Sequence, residues 1–160
     1  PELAGMGTTL VAALASPERV FIAHVGDSRA YLLRGDELVQ LTEDHSLVNE
    51  LVRSGQISPE EAKAHPQRNV LTRALGTEPF VAPDLHELEW SAGDLLLLCT
   101  DGLTNMINDA DILGTLKSGT DLDAMAERLV EQALEAGGSD NVSVILVRNE
   151  KEDGGEGGDR

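Results

Sequence analysis

The run Leu95-Leu96-Leu97-Leu98-Cys99-Thr100 places the tightest limit on how this chain can fold. Its length also fits part of a buried helix. Its shortness, with Gly93-Asp94 before it and Asp101-Gly102 after it, favours a strand covered on both faces. It ends on a carboxylate, Asp101. Two further aspartates stand in similar places: Asp27 follows the strand-like Val20–Gly26, and Asp140 precedes Val142–Arg148. Each alone reads as a turn or cap residue. A carboxylate at the mouth of an apolar strand is costly unless something positive neutralises it, and no Lys or Arg lies within six residues of Asp101 or Asp140. The local candidate is a hard metal ion. If the strands before Asp101 and after Asp140 lie antiparallel, both acids reach one edge. Asp27 joins them if its strand runs alongside the one before Asp101. The pattern proposes a carboxylate-only metal site on one rim of a sheet.

The remaining elements follow from period and punctuation. Thr8–Ala15 reads as a first strand closed by Ser16-Pro17-Glu18. Ser28–Arg34 and Glu37–Leu41 flank Gly35-Asp36 as a hairpin. Leu47, Val48, Leu51 and Val52 have helical spacing, and Gly55 ends that helix. Ser58-Pro59-Glu60-Glu61 is a helix start with cap, first-turn proline and capping box. Val70–Leu75 and Asp84–Trp90 read as strands. Asn108 or Asp109 begins a short helix to Lys117, and Asp121 caps a longer one. The longer helix has Leu122, Met125, Ala126, Leu129, Val130, Ala133 and Leu134 on one face, and Gly137-Gly138 stop it. Strands in pairs with helices grouped late predict an α+β fold with helices packed on sheets. Residues 1–149 read as one domain, and the Gly-rich, charged stretch 150–160 as a disordered tail.

Composition narrows the function classes. With only 2% aromatic residues, the core has to be Leu, Val, Ile and Ala. A net charge of -17 argues against nucleic acid or anionic membrane as a partner. Cys99, the single cysteine, allows no internal disulfide and suits a reducing cytoplasm. No apolar run approaches the roughly 20 residues that a membrane-spanning helix needs. The chain opens on Pro1 and enters its first strand almost at once, which reads as a start inside a domain.

Six segments in order carry a resemblance: Gly5-Met6-Gly7-Thr8-Thr9, Gly26-Asp27-Ser28-Arg29, Thr42-Glu43-Asp44-His45, Arg73-Ala74-Leu75-Gly76, Thr100-Asp101-Gly102-Leu103 and Ser139-Asp140-Asn141-Val142-Ser143. Together they resemble the motif series of the type-2C metal-dependent protein serine/threonine phosphatases, in a bacterial style, from Gly5 to Val147. The resemblance implies part of a four-layer α-β-β-α sandwich of two antiparallel sheets flanked by helices. It implies Mn²⁺ or Mg²⁺ as cofactor, two catalytic ions with a possible third, and a phosphorylated protein as substrate. By position, Asp101 and Asp140 are implied ligands of the first metal, and Asp27 with Asp101 of a more weakly held third. Residues 46–72 match the family's flap beside the active site. The attacking group is then a metal-activated water, so no protein nucleophile is expected.

Other residues are expected in supporting roles. Asn141 orients Asp140 or its turn. His45 is a structural hydrogen-bonder, Arg73 fixes the flap to the sheet, and Cys99 fills the core. Asn105 stands where many relatives carry a further aspartate. The family's upstream glutamate, Asp-Gly pair and phosphate-binding arginine have no counterpart here. The chain is therefore expected to be an incomplete and inactive catalytic unit that pairs with another copy or with the missing N-terminal part. The alternatives are a non-enzymatic regulatory or interaction module on the same fold, and a small-molecule phosphatase.

Overall fold

The computed structural model describes residues 2–150, so the tail expected over 151–160 lies outside the described residues. Two antiparallel sheets form the molecule. The first has the order β1-β2-β5, from Leu10–Ala15 (β1), Arg19–Val25 (β2) and Asp84–Glu89 (β5). The second has the order β4-β3-β6-β7, from Arg29–Arg34 (β3), Glu37–Gln40 (β4), Leu95–Cys99 (β6) and Val144–Arg148 (β7). The chain leaves the first sheet after β2 and enters the second at β3, turning at Gly26, whose φ of 107° a side chain would oppose.

The apolar run is the central strand β6, buried along its whole length. Its side chains alternate between two cores, as a two-sided strand requires. Leu96 and Leu98 join Val20, Ile22, Ala30 and Trp90 between the sheets. Leu95, Leu97 and Cys99 join Tyr31 and Leu33 beneath the helices. Those helices are Asp101–Thr104 (α3), Asp109–Lys117 (α4) and Leu122–Glu135 (α5). The amphipathic stripe of α5 buries Met125, Leu129 and Ala133 against the second sheet, but Leu134, expected on that face, is largely exposed. Asn108 and Asp121 cap α4 and α5 as the sequence predicts.

Residues 46–72 carry two short helices, Leu47–Arg53 (α1) capped by Ser46 and Pro59–Ala64 (α2) with the complete Ser58–Glu61 capping box. Val70–Leu75 is not a strand. Its partners are isolated segments rather than a neighbouring strand: Leu71 bridges to Ser46, and Leu75 bridges to Thr8. The segment therefore closes residues 46–72 onto their own start at Ser46 and ties the following Leu75 to Thr8 before β1.

Candidate metal centre

One row of the second sheet places the three aspartates. Arg29 pairs with Cys99, and Cys99 pairs with Val144, so the start of β3, the end of β6 and the start of β7 share a rim. Asp101 lies just past that rim as the first residue of α3. The Asp140-Asn141 loop runs into β7 beside it, tied by Thr100 N–H to the Ser143 carbonyl (3.1 Å) and by Ser143 N–H to Thr100 Oγ1 (3.0 Å). Gly102 makes the approach possible, since a Cβ there would stand 2.1 Å from the Asn141 carbonyl oxygen. Asp27 reaches the rim through the strand that follows it and not, as the sequence suggests, through the one before it. Its preceding strand, β2, belongs to the other sheet, and β3, which follows it, is the strand alongside β6.

The remaining motifs are stitched to this rim. Gly26 packs against Thr9, where a Cβ would come within 2.4 Å of the threonine Cγ2, and Thr9 Oγ1 is 2.8 Å from Ser28 Oγ. Arg29 grips both oxygens of Asp44, at 2.8 and 2.7 Å. Thr42 Oγ1 accepts the Ala30 N–H at 3.1 Å. The six segments scattered along the sequence therefore meet at one end of the molecule.

Among the described residues Asp27, Asp101 and Asp140 make no ion pair. Arg29, the nearest cation along the chain, is spent on Asp44. Burial, then the charge of Asp101 and of Asp44, pushes the Asp27 carboxyl up to about 6 against the pull of its own backbone N–H and of Arg29. Burial and the charge of Asp140 likewise raise the Asp101 carboxyl, opposed by the Gly102 and Asp101 N–H groups. Asp140 is oriented by its neighbour, Asn141 N–H donating to Asp140 Oδ1 at 2.7 Å. Asn141 thus acts through its backbone. Asn105 caps α3 one turn beyond Asp101, and Cys99 is a buried free thiol pushed up to about 12 by burial.

The tightest cluster of potential ligands is a different one. Ligand atoms of His24, His45 and Asp84 lie within 4.8 Å of one another, while the three aspartates form no such set among the described residues. The histidine geometry speaks against an ion there. The His24 and His45 rings stack at 4.5 Å and 17°, so their lone pairs point side by side instead of converging. Both His45 nitrogens are engaged: Nδ1 with the Gly26 N–H at 3.0 Å and Nε2 with Asp84 Oδ2 at 2.8 Å. His24 Nε2 meets the Glu43 carbonyl at 2.8 Å, and its buried Nδ1 has no partner. Arg73 donates to Asp84 Oδ1 (2.8 Å) and to the Ala82 carbonyl (3.1 Å), fixing the segment that follows residues 46–72 to the start of β5. Sequence reasoning passed over His24 and Asp84. The signal was a histidine inside a strand, which pairs in register with the aspartate opening β5.

Several solved structures similar to this chain are of serine/threonine phosphatases. That of the Mycobacterium tuberculosis serine/threonine phosphatase PstP/Ppp superposes with a TM-score of 0.89 at 47% identity, over 94% of this chain and 63% of that one. Another, the PstP catalytic domain in complex with two manganese ions, gives 0.83 at 45% identity, over 91% and 60%. The serine/threonine phosphatase stp of Listeria innocua is 51% identical over 91% of this chain and 58% of its own length. The family profile described as protein phosphatase 2C matches residues 2–142, and the chain belongs to that family. It spans about three fifths of the length of these relatives. No helix among the described residues is long and apolar enough to cross a membrane.

Proposed function

We propose that this chain carries part of the metal centre of a protein serine/threonine phosphatase, which in full length removes phosphate from phosphoserine and phosphothreonine with Mn²⁺ or Mg²⁺. The observation that carries the reading is the row Arg29, Cys99 and Val144, which brings Asp27, Asp101 and Asp140 to one rim with no cation paired to them. A donor set of carboxylates alone fits hard divalent ions and not those that prefer thiolate or imidazole. Asp101 and Asp140 would hold one ion, and Asp27 with Asp101 a more peripheral one. Bound there, such ions lower the pKa of water and stabilise charge on phosphoryl oxygens.

The protein's own part is to hold its carboxylates in place. Asn141 N–H fixes Asp140, the first turn of α3 fixes Asp101, and Arg29 neutralises Asp44 so that it adds less repulsion. The flap, residues 46–72, lies at the same end through the Thr72 N–H on the His45 carbonyl, with the following Leu75 tied to Thr8, and is the surface offered to a phosphorylated protein substrate. The acidic charge disfavours nucleic acid and anionic membrane, and the cytoplasm is the proposed compartment. Leu10, Leu14, Phe21 and Leu85 form an exposed apolar face on the first sheet. That face would pair with a second copy or with the N-terminal segment of the full protein. Residues 1–160 alone would turn over very slowly or not at all, because three carboxylates leave a two-ion site short of ligands.

The test is a phosphothreonine-peptide assay on the full-length protein with and without Mn²⁺. Metal-dependent release of phosphate is expected. Asp101→Asn should abolish it, and Asp27→Asn should leave partial activity at saturating Mn²⁺. Metal-independent turnover, or none on any phosphopeptide, would contradict the reading.

A further inference from the structure

We propose that Asp84 and Arg73 are positioning residues for the Gly26-Asp27 loop, acting through the tautomer of His45. The proposal rests on the reading of Asp27 as a metal ligand. Residue 45 holds Gly26 on both sides: His45 N–H donates to the Gly26 carbonyl at 3.0 Å, and His45 Nδ1 accepts the Gly26 N–H at 3.0 Å. Gly26 is the left-handed residue immediately before Asp27, so these two bonds set the direction in which the aspartate leaves the sheet.

The second bond exists only if Nδ1 carries no proton. That requires the Nε2–H tautomer, which is the one Asp84 selects by accepting at Oδ2. A carboxylate can only accept, and Arg73 on Oδ1 keeps it ionised, with the carboxyl lowered to about 2 by His45 and Arg73 together. The stacked His24 ring, itself held by the Glu43 carbonyl, confines the plane of His45. Thr72 N–H donates to the His45 carbonyl at 2.9 Å. The end of the flap thus meets the relay at Thr72, and Arg73, the next residue, meets it at Asp84. A substrate that moves the flap would act on Asp27 by this route.

The relay makes a prediction that simple packing does not. Asp84→Asn preserves shape but offers both a donor and an acceptor to Nε2, so the tautomer is no longer chosen. Nitrogen-15 NMR of metal-free residues 1–160 should show His45 as the Nε2–H form in the unaltered chain. In Asp84→Asn the Nδ1–H form should appear, and the Gly26 amide should exchange about tenfold faster, the loss of one net hydrogen bond. His45→Asn, whose amide oxygen can replace Nδ1, should restore much of that protection where His45→Ala does not. In titrations, Asp84→Asn should weaken Mn²⁺ binding by about tenfold or more, as loss of an outer-shell partner does.

An unchanged tautomer and unchanged Gly26 exchange in Asp84→Asn would overturn the proposal. So would a loosened Gly26 with undiminished Mn²⁺ affinity. If Asp84→Asn fails to fold, Arg73→Gln keeps the carboxylate that selects the tautomer but frees it to move, so His45 should stay in the Nε2–H form while Gly26 exchanges faster; unchanged Gly26 exchange would overturn the proposal. A relay that behaves as expected in a full-length protein inactive on every phosphopeptide would support the proposal while removing the phosphatase reading alone.

Discussion

Two glycines with opposite surroundings show how tightly the rim is built. At Gly102 a methyl group would meet a backbone carbonyl that cannot swing aside, so Gly102→Ala must push the Asn141 loop away from α3. Overpacking of that kind costs about 1–3 kcal/mol, and it should also lower Mn²⁺ affinity because Asp101 and Asp140 part together. Gly114 sits exposed within α4 with nothing within 4 Å of its virtual Cβ. Gly114→Ala should raise stability by about 0.5–1 kcal/mol and leave metal binding alone. Urea unfolding with a Mn²⁺ titration on both variants checks the pair. Asp84 gives a pH signature. Its carboxyl is depressed to about 2 by the His45 hydrogen bond and then Arg73, so its stabilising contribution is complete above the ordinary carboxylate value near 4. That contribution is lost as pH falls from about 4 toward 2. The stability gap between the unaltered chain and Asp84→Asn should therefore narrow across that interval.

At the scale of elements, α5 carries much of the core beneath the second sheet. Leu129 is fully buried there between Met125 and Ala133, and Leu129→Ala should cost about 2–5 kcal/mol in urea unfolding while leaving the rim aspartates in place. This helix was legible in the sequence because its cap, its apolar period and its Gly-Gly stop all agree. So were β6 and its antiparallel partner β7, whose pairing brings Asp101 and Asp140 together. Two elements were not. Val70–Leu75 has the β-branched and apolar content of a strand, Val70-Leu71 and Ala74-Leu75 about Thr72-Arg73, but such content does not report whether a strand stands alongside. The four-residue α3 is too short to show a period, and its turn is set by Gly102 meeting Asn141, a contact across the chain. The site divides the same way. The aspartates announce themselves by standing at strand mouths, whereas Asp84 matters only through a histidine that lies far from it in sequence.

For the molecule as a whole, the two sheets have unequal surroundings. The second sheet is covered by α3, α4 and α5, with Leu103, Ile112, Leu116 and Leu129 buried on it. The first exposes Leu14 and Leu85 at 72% and 73% on its outer face, a patch of the sort that marks an interaction surface. Residues 1–160 should therefore self-associate in sedimentation at raised concentration, and Leu14→Glu with Leu85→Glu should return them to monomers. The carboxylate rim is the feature on which the functional account depends. Three acids that repel one another without a partner destabilise the metal-free protein, and a bound cation should reverse that. The most direct measurement is thermal unfolding of residues 1–160 with and without Mn²⁺, alongside Asp101→Asn. The unaltered chain should gain about 2.7 kcal/mol at Mn²⁺ about 100-fold above its Kd. Asp101→Asn should melt higher than the unaltered chain without metal and gain almost nothing with it. A full Mn²⁺ response in Asp101→Asn, or none in the unaltered chain, would contradict the account.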